Sequence, residues 1–334
     1  MSKIKVIGHE AIRNFLLNSW QRQALSHAYL LLGPEGIGKF TLVKDFAAHL
    51  FCEQQSACGQ CSACQQVLRD NHPDIWLVER QSDKQDITIE QIRQLHDFIS
   101  LKSLSGDWRL VVINGAHFLN TESGNALLKS LEEPADKVIF FLLSAEPKKI
   151  LATISSRCQV LKLSFVPTSE IAKFLQGHGA HAEQAGELGQ LSGGRPGTAL
   201  NLLVQPEEFT HQLDQARLFL NLFNSNGFIQ ATRYFETEFK EAGTELMTSR
   251  EQALRLVNIW RTVARDLWCY KLNLKKYLRY QAFEAELEKT SQLSLKQLWR
   301  ISHLLQEASR RLAANAHIRL TLEWLAYSLG QFKV

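Results

Sequence analysis

The stretch Tyr29-Leu30-Leu31-Leu32-Gly33-Pro34-Glu35-Gly36-Ile37-Gly38-Lys39-Phe40-Thr41 decides the fold of the N-terminal part of the chain. Its four leading apolar residues predict a strand, the glycine-rich segment predicts a loop, and residues 42–51 predict a helix. This order is that of a P-loop, in which backbone N–H groups surround phosphates at a helix N-terminus and a lysine reaches the β and γ oxygens. The candidate nucleotide-binding residues are therefore Gly33, Gly36, Gly38 and Lys39.

Two features around this loop depart from the pattern of an active ATPase. Phe40 occupies the position where Ser or Thr would coordinate Mg²⁺, and Thr41 comes one residue later, about 100° further round a helix. Asn114 and Gly115 follow the strand predicted at 110–113, where carboxylates would hold Mg²⁺ and orient the attacking water. His117 is a candidate base, although a single His near a strand end is more often structural. Binding of ATP or ADP remains possible and hydrolysis is disfavoured, with a ligand-free glycine turn as the alternative.

Short apolar runs alternate with helical patterns over the first 165 residues, which predicts an α/β fold with a parallel sheet. The predicted central strands are residues 29–32, 75–78, 110–113 and 138–143. Thr88 and Gln91 form a capping box that predicts a helix start between two of them. Strand signals stop at Pro167, and Ser249 with Gln252 predicts a later helix start. Three domains are expected: residues 1–165, a small helical unit at 166–205, and a helical region at 206–334.

Four cysteines lie close together after the predicted P-loop helix, at Cys52, Cys58, Cys61 and Cys64. Four thiolates at this spacing can close a tetrahedron around Zn²⁺, with reduced free thiols as the alternative. Since all four positions would be filled by protein, the zinc predicted at residues 52–64 is structural and not catalytic.

Composition limits the class of protein. With 45% hydrophobic and 22% charged residues the chain is typical of a folded globular protein. No run approaches the roughly 18 apolar residues that span a bilayer, so we expect a cytoplasmic protein without a membrane partner. The net charge of +4, whose excess lies after residue 205, is too small to indicate nucleic-acid binding by itself.

Residues 125–134 (NALLKSLEEP) and 151–159 (LATISSRCQ) strongly resemble the clamp-loader branch of the AAA+ ATPases. With the P-loop and the cysteine module, the resemblance covers about residues 8–165 well and the chain to about 205 moderately. It implies an AAA+ domain, a helical lid and a helical collar that joins subunits in a ring. The motor subunits of this family keep the acidic pair that Asn114 and Gly115 replace here, so the resemblance is to a non-motor subunit.

The resemblance also implies roles for single residues. Ser156-Arg157-Cys158 matches the family's SRC motif, whose arginine acts as a finger on ATP bound to the neighbouring subunit. Ser144 stands where the family places a polar residue that senses the γ-phosphate. The implied partners are the gamma/tau ATPase subunits, the delta subunit, the sliding clamp and, through the assembly, primed DNA.

Two other functions remain open at this stage. One is an active ATPase motor in which Thr41 and an unrecognised acid replace the missing groups. The other is a nucleic-acid-binding module that uses the zinc and the basic and aromatic residues between 260 and 280, because charge and stacking together grip a strand. The same spacing also fits a helix with a buried aromatic face and a solvated basic face.

Overall fold

The computed structural model describes residues 4–81, 84–104, 108–239 and 245–332, without the side chains of 245–248. The chain forms two compact units. The first comprises the residues up to Gly179 together with Gly194–Ala199, and the second comprises Ala180–Gly193 and the residues from Leu200 onward. The domain boundaries expected near residues 166 and 206 stay predictions.

A five-stranded parallel sheet lies at the centre of the first unit, in the order β2-β3-β4-β1-β5. This confirms the predicted α/β class and all four predicted strands. The fifth strand, at the edge beside β1, was not predicted. The strands are Ala28–Leu32 (β1), Ile75–Glu79 (β2), Arg109–Asn114 (β3), Val138–Ser144 (β4) and Gln159–Lys162 (β5).

Helices cover both faces of this sheet because successive side chains of a strand point to opposite faces. Tyr29 and Leu31 pack into one buried cluster with residues of α1 and α2, whereas Ala28 and Leu30 pack into a second cluster with α4 and α5. The helices of this unit are α1 (Glu10–Gln21), α2 (Lys39–Phe51), α3 (Ser62–Leu68), α4 (Ile89–Ser100), α5 (Thr121–Glu132), α6 (Ala152–Ser155) and α7 (Thr168–Gln176). The capping box predicted at Thr88 and Gln91 is confirmed at the start of α4.

The second unit is helical throughout its described residues. Its helices are α8 (Ala182–Leu191), α9 (Pro196–Val204, which begins in the first unit), α10 (Pro206–Asn221), α11 (Gly227–Glu238), α12 (Glu245–Lys271), α13 (Glu284–Thr290), α14 (Leu295–Ala313) and α15 (Ile318–Gly330). The helix start predicted at Ser249 is wrong: α12 begins at Glu245, so Ser249 lies inside the helix. Nowhere in the described residues is a helix both long and apolar enough to cross a bilayer.

Candidate functional site

The phosphate loop connects β1 to α2 at the carboxyl edge of the sheet. Gly36 and Gly38 adopt φ angles of 72° and 104°, in the left-handed region that favours glycine. The N–H of Gly33 donates to the carbonyl oxygen of Ser144 at 3.1 Å, and the N–H of Gly197 donates to that of Gly36 at 2.7 Å. The loop is therefore held from β4 on one side and from the start of α9 on the other.

Lys39 is the first residue of α2, and its amine turns back onto the loop. Its Nζ donates to the carbonyl oxygens of Gly33 at 2.6 Å and Pro34 at 2.9 Å. Burial lowers the pKa of Lys39 to about 8, although the charge of Glu35 acts in the opposite direction. A phosphate at this loop would have to replace the two carbonyl oxygens as the acceptor of the Lys39 protons.

A cavity of about 500 Å³ opens beside the loop, within the size range of small-molecule sites. Gly36, Gly38 and Lys39 line it, together with both Phe40 and the exposed Thr41. The structure therefore brings Thr41 to the same cavity as the phosphate loop, although Phe40 occupies the position that follows the lysine.

A carboxylate that sequence reasoning missed also lines this cavity. Glu79 ends β2 and is the register partner of Asn114, which ends β3. The amide Nδ2 of Asn114 donates to Oε1 of Glu79 at 2.6 Å. The available signal was the position of Glu79 directly after a predicted strand, because the carboxyl ends of neighbouring parallel strands meet at one edge.

His117 and Ser144 lie next to each other and interact. Oγ of Ser144 lies 3.4 Å from Nδ1 of His117 and accepts the N–H of Glu146 at 3.1 Å. The imidazole packs against Phe118 with ring centroids 4.2 Å apart, and burial lowers its pKa. These contacts favour the structural interpretation of His117, since a buried, neutral and packed imidazole is a poor match for a mobile base.

Arg157 follows α6 on the surface of the first unit, with its side chain 35% exposed. Its Nη2 lies 2.5 Å from Oε1 of Glu132, the last residue of α5. Its Nη1 donates to the carbonyl oxygen of Thr153 at 3.0 Å and to Oγ of Ser156 at 3.3 Å. The guanidinium is therefore accessible, as a finger must be, and is also held by an ion pair.

The four clustered cysteines come together at one point between α2 and α3. Their sulfur atoms all lie within 4.8 Å of one another, and two of the pairs, Cys58 with Cys64 and Cys52 with Cys61, are 4.0 Å apart. Four sulfurs at about 2.3 Å from one Zn²⁺ would be separated by about 3.8 Å, so the cluster fits a tetrahedral metal.

The pKa shifts differ from one cysteine of the cluster to another. Burial by itself raises the pKa of Cys52, but backbone N–H groups of Cys58, Ser56 and Gln54 outweigh burial and lower the pKa to about 6. Burial raises the pKa of Cys64 to about 12. A bound cation would favour the thiolate form of every one of these ligands. The four cysteines can thus hold a metal ion such as zinc.

The basic and aromatic residues between 260 and 280 use many of their groups inside the second unit. Trp260 and Tyr280 are buried. Nη1 of Arg265 donates to Asp266 and to the carbonyl oxygen of Tyr277, both at 2.9 Å. Lys271 donates to the carbonyl oxygen of Ser291 at 2.8 Å, and Lys275 lies 2.7 Å from a carboxylate oxygen of Glu284. These contacts favour a structural helix over a nucleic-acid surface.

A parallel sheet in this order, with a phosphate loop between β1 and the next helix, defines the class as a P-loop ATPase-type domain of the AAA+ kind. Residues 8–167 match the protein family described as "DNA polymerase III, delta subunit". The delta′ subunit of DNA polymerase III from Pseudomonas aeruginosa is 39% identical over 184 residues, which are 53% of this chain and 56% of that protein. Residues 8–167 of this chain are thus similar to clamp-loader subunits of DNA polymerase III.

Relatives named as tau and gamma subunits also match part of this chain. The tau subunit of DNA polymerase III from Bacillus subtilis is 35% identical over 157 residues, which are 46% of this chain and 27% of that protein. The chain spans between about a quarter and a little over half of the length of these curated relatives. A crystal structure of a DNA polymerase III gamma-subunit-related protein from Thermotoga maritima has a TM-score of 0.50 at 15% identity and covers 100% of both chains. That likeness supports the fold alone.

Proposed function

We propose that this chain is a stator subunit of the delta′ type in a replicative clamp loader. In this function it assembles with gamma/tau ATPase subunits and a delta subunit to place a sliding clamp on primed DNA. The observation that carries the proposal is Asn114 at the end of β3, beside the phosphate loop. An amide does not accept a proton from water as a carboxylate would, and at this strand end the carboxylate is what orients the attacking water.

Arg157 is the group that this chain would contribute to catalysis in a neighbouring subunit. A guanidinium stays charged at all physiological pH values and offers a rigid fork of donors. Such a fork stabilises the charge that develops on a phosphoryl group during transfer. Exposure of Arg157 at the surface supports a role in trans.

The cysteine cluster and the phosphate loop would have structural roles and would not catalyse a reaction efficiently. Cys52, Cys58, Cys61 and Cys64 would hold one Zn²⁺ with no open coordination position, so the metal would fix the connection between α2 and α3. Gly33, Gly36, Gly38 and Lys39 would bind the phosphates of ATP or ADP, with Thr41 and Ser144 close by. A nucleotide held there would not be turned over efficiently.

The test is DNA-stimulated ATP hydrolysis by the clamp loader reconstituted with wild-type chain, Arg157→Ala or Lys39→Ala. We expect Arg157→Ala to slow hydrolysis at the one site that faces this chain, on the order of 10³-fold at that site, and Lys39→Ala to leave the total rate unchanged. Arg93→Ala is the matched control, because Arg93 is also an exposed arginine with a carboxylate nearby. An Arg157→Ala assembly as fast as wild type would overturn the proposal.

An active motor subunit is the second candidate, and the carboxylate of Glu79 in the cavity favours it. In that case Glu79 would supply the acid and Thr41 the hydroxyl that the sequence pattern lacks. The same assay separates the two functions, since a motor would lose a share of turnover on Lys39→Ala and on Glu79→Gln.

A further inference from the structure

The ion pair of Arg157 joins two separate elements of the first unit. Glu132 closes α5, whereas Arg157 follows α6, so the two residues meet only because these helices pack together. Their side chains are 49% and 35% exposed, and the two charged atoms are 2.5 Å apart. The partner of the candidate finger is therefore fixed by the tertiary fold and is open to solvent.

Helix stability does not account for a carboxylate at this position. The C-terminal end of a helix carries the negative end of the helix dipole, which disfavours an acidic side chain there. Glu132 is the last helical residue and Glu133 is the C-cap, so two negative charges crowd this end of α5. The nearby guanidinium offsets this repulsion. The role of the Glu132 carboxylate is therefore to pair with Arg157 and not to stabilise the helix.

A carboxylate and a phosphate compete for the same face of a guanidinium. Both accept two parallel N–H bonds from the planar fork, so a carboxylate on one edge of the guanidinium competes with a phosphate for that edge. Nη2, on one edge of this fork, lies against Glu132. A triphosphate that binds the guanidinium through this edge must displace the carboxylate.

We propose that Glu132 is a positioning residue that holds Arg157 at the surface until a nucleoside triphosphate bound to a neighbouring subunit displaces it. This inference rests on the proposed role of Arg157 in trans. Removal of the carboxylate leaves the guanidinium free before nucleotide arrives, so binding of the triphosphate no longer has to break the ion pair. The effect falls on the apparent KM for ATP of the assembly and not on kcat.

The experiment measures KM and kcat for ATP of the reconstituted loader with wild-type chain, Glu132→Gln or Glu133→Gln. Glu133→Gln is the matched control, since it removes the same charge one position further along. We expect Glu132→Gln to lower KM up to about fivefold, the range of an exposed ion pair, with kcat unchanged, and Glu133→Gln to leave KM unchanged. The gain should shrink as salt rises, because ions screen the pair.

Arg157→Ala decides between failure of this inference and failure of the proposed function. In an Arg157→Ala chain, the additional change Glu132→Gln should have no effect on KM, as expected if the carboxylate acts through the arginine. If Arg157→Ala slows hydrolysis but Glu132→Gln leaves KM unchanged, the positioning role of Glu132 is wrong and the proposed role of Arg157 in trans is retained. If Arg157→Ala itself has no effect, both are wrong.

Discussion

Lys39 shows how one buried charge reports on the state of the phosphate loop. Its ammonium lies among backbone carbonyl oxygens of the loop, and burial brings its pKa to about 8. Desolvation disfavours the charged form of a lysine, which is why the shift is downward. A phosphate at the same place would add negative charge and would raise the pKa again.

This shift predicts an unusual pH profile for chemical modification of Lys39. The neutral amine is the reactive form, so the rate of Lys39 with an acylating reagent should level off above about pH 8, and exposed Lys148 serves as the reference for the reactivity of the reagent. Peptide mass spectrometry on native protein gives both rates from one sample. Addition of ATP should slow the modification of Lys39 alone. A Lys39 rate that still rises well above pH 8 would contradict this shift in its pKa.

At the scale of helices and strands, the cysteine module is the clearest case of sequence and structure in agreement. Cys52 follows the end of α2, Cys64 lies within α3, and both are buried. The short connection that carries Cys58 and Cys61 brings its two sulfurs to the same point. A metal bound there would link one helix that packs on the sheet to another.

We expect the purified chain to hold about one zinc ion, and Cys61→Ser to lose it. Without the fourth ligand the connection between α2 and α3 is no longer tied, so the melting temperature should fall, by roughly 2–4 °C for each kcal/mol lost. Metal content by mass spectrometry and thermal unfolding check both. Cys269→Ser, outside the cluster, is the control and should keep its zinc. Full zinc content in Cys61→Ser would rule out a four-cysteine site.

Three of the four predicted strands are covered by other layers on both faces. β1, β3 and β4 are almost wholly buried, so they appear in the sequence as unbroken apolar runs, and each observed end lies within one residue of the prediction. β5 is an exposed edge strand that begins with Gln159 and ends with Lys162, which gives no such run. The start of α12 was missed because Ser249 resembles a cap although the helix begins earlier.

The candidate site was predictable only where its residues are neighbours in the chain. The phosphate loop and the cysteine cluster are local motifs, and the sequence identified both. The pairs of Glu79 with Asn114 and of Glu132 with Arg157 are each made by packing of separate elements. No local pattern encodes such a contact, since it depends on which strand ends and helix ends become neighbours in the fold.

For the molecule as a whole, net charge is a poor guide to a DNA-binding role. The excess of +4 lies after residue 205, where a basic and aromatic segment first suggested contact with nucleic acid. Arg265, Lys271 and Lys275 in that segment already donate to groups within the second unit. Each such charge would have to leave its partner before it could neutralise a phosphate.

We therefore expect the isolated chain to bind DNA weakly and with a shallow dependence on salt. Each phosphate neutralised adds about −0.9 to the slope of log affinity against log salt concentration, so a few available charges give a slope no steeper than about −3. Fluorescence anisotropy of a labelled primer–template, titrated from about 50 to 200 mM salt, measures this slope. Lys271→Ala should leave it unchanged, because the Lys271 amine donates to Ser291. A slope of about −6 or steeper that Lys271→Ala flattens would instead favour a direct role of this segment on DNA, and the proposed stator would then also contribute to holding the primed strand.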